Sequence, residues 1–310
     1  MKKFTFATLA ILTATLSFAQ QKSTLAVSKI TATPAIESAI KANGSISSMN
    51  RVIQSLDSNL TAAFQATRKF DVLTRSDLDA AIKEQDFANS GNVNASNANT
   101  PKTGNMKGAK YVVAVQVDDF QDIVERDIFQ SLNKVVENRK IRFGAVAKVI
   151  DAESGSVVET ANFIISNDGI TDKDTTTTFF GGSSSDPLIA VLARNMCSQI
   201  ANKVVDAIYP PSIIAKTGKT VTLNRGDGTG ISVGDEYDVM AKGEEMFDPD
   251  TGDKLGFEEI KIGKIRISEV LPKFSKGQVL EDNGIEKGQL LRVTKKVQTA
   301  VPTLKPNDEI

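Results

Sequence analysis

The sequence predicts an α/β sandwich domain followed by a small all-β, barrel-like domain. Strand-like runs and helical patterns alternate as far as Pro210-Pro211. Helical periodicity stops there, and the short strand-like runs that follow are separated by Gly and Asp. A chain of 310 residues is long enough for two such domains.

Residues 1–19 have the pattern of a signal peptide. Lys2 and Lys3 precede the apolar run FTFATLAILTATL, and the small residues Ser17 and Ala19 follow it. We expect cleavage after Ala19. The apolar run is shorter than the ~20 residues that a membrane-spanning helix needs, although a short membrane anchor is the alternative. No Cys stands at the cleavage site, so lipid attachment is not expected.

The composition excludes several classes of site. The chain has no His, so Ser-His-Asp and Cys-His catalysis are impossible. Its single cysteine, Cys197, cannot form a disulfide within the chain, and no Cys or His cluster exists for zinc. The net charge of −1 predicts no bulk attraction to nucleic acid, and the absence of another long apolar run predicts no integral membrane span.

The first half of the predicted α/β domain begins with a strand at 24–30 and a loop rich in Ala, Thr and Gly. A helix with one apolar stripe follows over 47–66, and then a short strand over 70–74. Ser76 is placed to cap a second helix, whose apolar face carries Leu78 and Ile82. Residues 88–107 form a polar, low-complexity loop.

The second half begins with the apolar run Tyr111–Val115, which favours a strand buried on both faces. Residues 142–151 and 156–166 predict a hairpin, and another polar stretch covers 167–185. A helix then begins at Asp186-Pro187 and ends before Pro210-Pro211. Cys197 lies within its wide apolar stripe, which favours a buried, inert thiol over a nucleophile.

The C-terminal part contains a weak internal repeat. GISVGDEYDV (230–239) and GIEKGQLLRV (284–293) share Gly-Ile-x-x-Gly and a terminal Val, and each predicts a tight turn that leads into a strand. The predicted organisation is a signal peptide at 1–19, an α/β domain at 20–210, a small β domain at 212–296 and a loose tail at 297–310.

The order of parts in the first domain resembles the curli-assembly CsgG-like family, with its TolB N-terminal-like and penicillin-binding-protein-activator relatives. The last 80 or so residues resemble, more weakly, the C-terminal domain of flagellar assembly protein T. The matching positions of the first domain are Phe70, Val72, Arg75, Leu78, Glu84, Gln85, Gly108, Ala109, Tyr111, Phe120, Asp151 and Gly155.

The resemblance implies that the strand-to-helix step at 70–85 is scaffold, in which Arg75 pairs with a carboxylate or caps a carbonyl; a ligand role is the alternative. The sequence departs from the pore-forming member of that family. It lacks the lipid-attachment Cys, and residues 123–142 carry charges in both alternating registers. Residues 171–186 have almost no apolar side chains for lipid. We therefore do not extend the pore function to this chain.

Two candidate motifs predict structure rather than chemistry. Asp248, Asp250 and Glu259 stand at offsets 1, 3 and 12 of an EF-hand-like loop, but Gly252 and Asp253 occupy the wrong positions within it, so a hairpin turn is favoured. NRGDGTG (224–230) lacks the Lys-Ser/Thr of a phosphate loop, and the RGD tripeptide within it is common by chance. No motif in the sequence predicts a catalytic, cofactor-binding or metal-binding residue.

These observations predict an exported protein, not an enzyme, in the periplasm or at the periphery of the outer membrane. It would act through contacts with envelope or outer-membrane proteins during envelope or surface-structure assembly, without nucleic acid or cofactors. One alternative is an oligomeric outer-membrane secretion component of the curli-assembly type; an oligomer of identical chains fits either reading. A more distant alternative is an enzyme that uses carboxylates alone, such as a glycosidase.

Overall fold

The structure, a computed structural model, describes residues 22–43, 46–74, 83, 108–129, 134–167, 187–252 and 254–296. Its strands form two six-stranded sheets, one before and one after Pro210-Pro211. The predicted fold class is confirmed. The helices are α1 (Pro34–Asn43), α2 (Ile46–Thr67) and α3 (Pro187–Ile208), and the strands are β1 (Ser23–Val27), β2 (Thr31–Ala32), β3 (Phe70–Thr74), β4 (Tyr111–Phe129), β5 (Lys134–Asp151), β6 (Val157–Ser166), β7 (Ile213–Thr217), β8 (Thr220–Leu223), β9 (Glu236–Phe247), β10 (Lys254–Val270), β11 (Ser275–Asp282) and β12 (Leu290–Lys295).

The first sheet has the order β3-β1-β4-β5-β6, and β2 pairs with β4 beside this path. β1 is parallel to both of its neighbours, β3 and β4, whereas β4, β5 and β6 are antiparallel. The parallel β1–β3 pair requires a long crossover, which α1 and α2 provide.

Helices α2 and α3 pack together against one face of this sheet. Alternate side chains of a strand point to opposite faces, so Val113 and Val115 of β4 are buried, while Val112 and Ala114 are only half-buried. The prediction that Tyr111–Val115 is buried on both faces is therefore wrong, because the described helices that contact β4 bury only alternate residues of this run. The core itself contains the predicted apolar stripes of α2 and α3.

Helix α1 lies in the stretch that the sequence analysis assigned to a loop. Its start carries two ordinary helix signals: the backbone N–H of Ile36 donates to the Thr33 hydroxyl at 3.4 Å, and Pro34 is the first helical residue. The small residues around this segment obscured the helix because they give little apolar periodicity.

The predicted pairing of 142–151 with 156–166 is confirmed as β5 with β6, but β5 and β4 both extend well beyond the predicted strands and pair with each other. Their ladder runs from the Tyr111–Asp151 pair to the Phe129–Lys134 pair. Asp122 and Arg139 form a largely buried ion pair within it, with the Arg139 Nε and Nη2 atoms 2.7 and 2.6 Å from the two carboxylate oxygens. Burial opposes the charge of Asp122, but hydrogen bonds from Arg139 and Ser48 lower its pKa below the usual range.

The second sheet has the order β12-β9-β10-β11-β8-β7 and is antiparallel throughout. Its two edges meet at a single antiparallel bridge between Ser212 and Leu290. The Leu291 N–H donates to the Pro211 carbonyl at 2.9 Å at this point. This single bridge does not close the described strands into a barrel, and the sheet has a core of its own that includes Val221, Val239 and Ile265.

The internal repeat has a structural counterpart. Its two copies lead into β9 and β12, which pair with each other. In the first copy the Asp235 carboxylate accepts the Ser232 N–H at 2.9 Å, and in the second the Gln289 amide oxygen accepts the Glu286 N–H at 2.7 Å. Both turns therefore use the same hydrogen bond, in which a side-chain oxygen accepts from the backbone N–H three residues earlier.

Candidate functional site

The loop at residues 224–230, here called the joint loop, follows β8 of the second sheet and lies against two helices of the first domain. A Cβ atom on Gly228 would lie 2.7 Å from the Ala66 carbonyl oxygen of α2, and one on Gly230 would lie 2.5 Å from the Asn202 amide nitrogen of α3. Both glycines also have positive φ, +78° and +71°, which side chains disfavour. Glycine is therefore required here, because the loop lies directly against both helices.

Arg225 anchors the joint loop to the C-terminal end of α3. It is 2 % exposed, and its Nη2 atom donates to the Asp206 carboxylate at 2.7 Å and to the carbonyl oxygens of Val205 and Tyr209. A cation at this end of a helix is favourable because the last carbonyls are partly negative. Burial lowers the pKa of Arg225 and Asp206 raises it, but a guanidinium remains charged at any ordinary pH.

A cavity of about 370 Å³ lies between α3 and the second sheet. Each of its four cations has a carboxylate partner, so the charge around the cavity is balanced. The pairs are Lys203–Glu159 at 3.6 Å, Arg225–Asp206 at 2.7 Å, Arg292–Glu259, and Lys296–Asp235 at 3.2 Å. Two buried atoms that line it, Arg225 Nη1 and Asn202 Oδ1, have no hydrogen-bond partner in the described part of the chain.

The end of the β9–β10 hairpin, residues 241–260, projects apolar side chains into solvent. We call it the hairpin end. Phe247 is 56 % exposed and Leu255 is 60 % exposed. Three further apolar side chains there are also exposed, namely Met246, Phe257 and Ile260. The same segment contains seven acidic residues and two lysines.

Both lysines of the hairpin end make cation–π contacts with one aromatic ring. The Nζ atoms of Lys242 and Lys254 each lie 4.9 Å from the centre of the Phe257 ring, and Lys254 also pairs with Glu245. The lysines are thereby occupied, and the outward charge is negative. Apolar anchors within a charged rim are typical of surfaces that contact other proteins.

The EF-hand-like motif is a hairpin turn, as predicted. The Asp248 carboxylate accepts the backbone N–H groups of Asp250 and Thr251 at 2.8 and 3.2 Å. Glu259 lies on β10, about 16 Å along the strand from its first residue, Lys254. Its carboxylate accepts a hydrogen bond from Arg292 at 2.8 Å. Within the described ranges, no group of three or more His, Cys, Asp or Glu could hold a metal ion.

The other predicted positions divide between described and undescribed residues. Cys197 is 1 % exposed, so its predicted burial is confirmed, and β3 occupies the predicted 70–74. Arg75 lies outside the described residues. So do the helix expected after Ser76 (apart from the exposed, helical Lys83), the signal peptide, the tail and the greater part of both polar loops.

The role of NRGDGTG was not predicted from the sequence. The run lacks the residues of a phosphate loop and has no other recognisable motif, whereas in the structure it forms the joint loop. The available signal was the alternation of glycines with polar residues directly after a strand, which indicates close backbone approach. Nothing in the sequence specified which helices it would approach.

The comparison with protein families gives one match. The model of the family described as curli production assembly/transport component CsgG matches residues 6–127. The chain is therefore CsgG-like in this part, and the resemblance inferred from its motifs is confirmed there. The likeness of the C-terminal part to flagellar assembly protein T stays a prediction. No curated protein sequence matches the chain.

Several solved structures are distantly similar. The hypothetical protein CT253 from Chlamydia trachomatis is 10 % identical, with 61 % of this chain and 99 % of that chain covered and a TM-score of 0.34. The PelC dodecamer from Paraburkholderia phytofirmans is 14 % identical, with 58 % and 86 % covered and a TM-score of 0.28. The lipoprotein GNA1162 from Neisseria meningitidis is 18 % identical, with 58 % and 99 % covered and a TM-score of 0.25. Similarity this low supports no conclusion about assembly.

Among the described helices, none has the length and apolar character needed to cross a membrane.

Proposed function

We propose that this CsgG-like chain is an exported, non-enzymatic protein of the periplasm or outer-membrane periphery that acts through protein contacts during envelope or surface-structure assembly. One observation carries the proposal: residues 6–127 match a family described as an assembly and transport component of curli production. The lack of His and the basic, apolar N-terminus support the non-enzymatic and exported parts of it.

The hairpin end is the surface that we assign to the partner. Its exposed apolar side chains supply the anchors, and its seven acidic residues select a partner surface with a basic rim around an apolar patch. Charge complementarity of this kind speeds encounter and excludes acidic competitors.

Fractionation of the native host tests export. We expect the envelope fraction to contain a chain that begins at Gln20, as measured by intact mass, because the −1 and −3 residues are small. An Ala19→Arg variant should retain residues 1–19, while Gln21→Arg, beyond the cleavage site, should be processed normally. Full-length chain in the cytoplasm would refute the proposal.

The second candidate function is an oligomeric outer-membrane secretion component. It is favoured because residues 6–127 match a family of curli assembly and transport components. The two proposals differ in extraction behaviour. A peripheral protein is released from membranes by carbonate and remains in solution without detergent, whereas a membrane-embedded oligomer stays in the pellet until detergent is added.

A further inference from the structure

A second cavity, of about 300 Å³, lies on another side of the joint loop. Its lining includes four cations, Lys22, Arg68, Lys69 and Lys273, together with the hydroxyl-bearing Thr67 and Thr229. These residues come from the position before β1, the end of α2 and its connection to β3, the joint loop, and the turn before β11. Both structural units therefore contribute to one basic cavity.

The charge in this cavity is unbalanced. In the described part of the chain none of its four cations forms an ion pair with a carboxylate, whereas every cation around the neighbouring 370 Å³ cavity has one. The polar contacts recorded for the four are with carbonyl oxygens: Arg68 donates to Pro272, and Lys69 donates to Asn224 at 2.5 Å. The cations of the 370 Å³ cavity are therefore neutralised by carboxylates, and, among the described residues, those of the 300 Å³ cavity are not.

Lys69 lies in an environment with an excess of positive charge. Burial lowers its pKa, and the neighbouring charges of Arg225 and Lys22 lower it further. The C-terminal end of α2 attracts cations, which accounts for Arg68 and Lys69 in part. It does not account for Lys22 and Lys273, which belong to other elements.

Arg68 occupies a conformation that normally belongs to glycine. Its φ is +56°, and in the described residues it is the one non-glycine position with positive φ. Helices commonly end on Gly in this left-handed conformation, because other side chains are strained there. From this position Arg68 donates to the Pro272 carbonyl oxygen, although glycine would fit the backbone better.

We infer that the 300 Å³ cavity binds a phosphate-type oxyanion, which neutralises part of the positive charge of its four cations and contacts both structural units. A phosphate group has several acceptor oxygens, so it can accept hydrogen bonds from more than one of these lysine and arginine donors. The anion could be inorganic phosphate or the phosphate of an anionic lipid headgroup, since both present the same chemistry. The inference goes beyond the proposed function and does not depend on it.

Calorimetric titration of the mature chain, residues 20–310, tests the inference. Inorganic phosphate is titrated in one arm, and in another vesicles of phosphatidylglycerol in phosphatidylcholine are compared with phosphatidylcholine alone. The site variant is Arg68→Gly with Lys69→Gln, since glycine keeps the backbone conformation at position 68. The control is Lys203→Gln with Arg292→Gln, which removes the same charge from the neutralised cavity.

We expect the site variant to weaken binding about tenfold or more, because charge-assisted hydrogen bonds are lost, and the control to weaken it less than about twofold. Binding of inorganic phosphate identifies a free anion, and binding only of phosphatidylglycerol vesicles identifies a headgroup. Urea unfolding checks that the site variant and the control are folded. If the site variant does not fold, Lys22→Gln with Lys273→Gln takes its place. Absence of binding in both arms, or equal loss in site variant and control, overturns the inference.

Discussion

Cys197 illustrates how a reactive group becomes inert through its position. Its thiol donates to the Leu56 carbonyl at 3.4 Å, and burial raises its pKa to about 12. A thiol whose folded pKa is raised stays protonated until the pH approaches that value, and the associated stability is lost only as pH rises from its unfolded pKa of ~8.5 towards 12. The nucleophilic thiolate is therefore nearly absent near neutral pH.

We predict that Cys197 does not react with a thiol reagent at pH 8 in the native chain and reacts completely in urea. The reason is its 1 % exposure combined with the raised pKa. Absorbance at the reagent's product wavelength measures the reaction. Fast, stoichiometric labelling without urea would mean that α2 and α3 do not cover the sulfur atom.

Glu236 has the opposite electrostatic setting. Hydrogen bonds from Lys264 and Arg266, at 2.7 and 2.6 Å, hold its pKa at about 2 instead of the usual 4.5. A carboxyl with a depressed folded pKa contributes stability that is present above its unfolded pKa and is lost as pH falls through the folded one. The relevant window is therefore pH 4.5 down to about 2.

We predict that Glu236→Gln lowers the urea midpoint at pH 7, and that this difference from the unmodified chain shrinks as pH falls from 4.5 to 2. Glu244→Gln, which replaces an exposed carboxyl on the same strand, should leave the midpoint nearly unchanged. A difference that stays constant down to pH 2 would show that the two ion pairs do not stabilise the fold.

At the level of elements, Gly228 of the joint loop and Gly252 of the β9–β10 turn have similar backbone conformations but different surroundings. Gly228 and Gly252 have φ of +78° and +72°, but only Gly228 lies against another element. A Cβ on Gly252 would meet nothing within 4 Å. The pair therefore separates conformational strain from packing against α2.

We predict that Gly252→Ala costs about 1–2 kcal/mol of unfolding free energy, which is the strain of a left-handed residue. Gly228→Ala should cost more, because the new methyl group would lie 2.7 Å from the Ala66 carbonyl oxygen and the loop must move. Urea unfolding of both variants measures this. Equal costs would show that the loop is free to shift away from α2.

Element prediction from the sequence worked where one periodicity dominated. α2, α3 and β3 match their expected ranges because apolar residues recur at one spacing and breakers mark the ends. The outer part of the β4–β5 hairpin was missed because alternating charges, among them Asp122 and Arg139, hid the strand period. That ion pair becomes recognisable only once the register is known, since its members lie on different strands.

The candidate sites were still less predictable. The basic cavity gathers Lys22, Arg68 and Lys273 from positions up to 251 residues apart in the sequence, which no local pattern connects. The exposed side chains of the hairpin end resemble an ordinary alternating strand in sequence. Their exposure follows from the length of β9 and β10, which extend past the strands that would cover them.

In the part of the molecule that the structure describes, two hydrophobic cores share no residue, and one lies against each sheet. We predict that the fragments 20–210 and 212–296 each fold alone, with one cooperative thermal transition measured by circular dichroism. Each should be less stable than in the full chain, because the bonds from Arg225 to α3 are lost. Failure of either fragment to fold would place the boundary elsewhere.

The central claim is that the chain acts by contacting another exported protein through its hairpin end. Photo-crosslinking in intact cells tests it most directly, with a crosslinking amino acid at Phe247 and, as control, at Val157, whose exposed fraction of 55 % nearly equals the 56 % of Phe247. We predict that position 247 yields a discrete adduct with one exported protein, identified by mass spectrometry, and that position 157 does not. No adduct at 247, or the same adducts at both positions, would contradict the account.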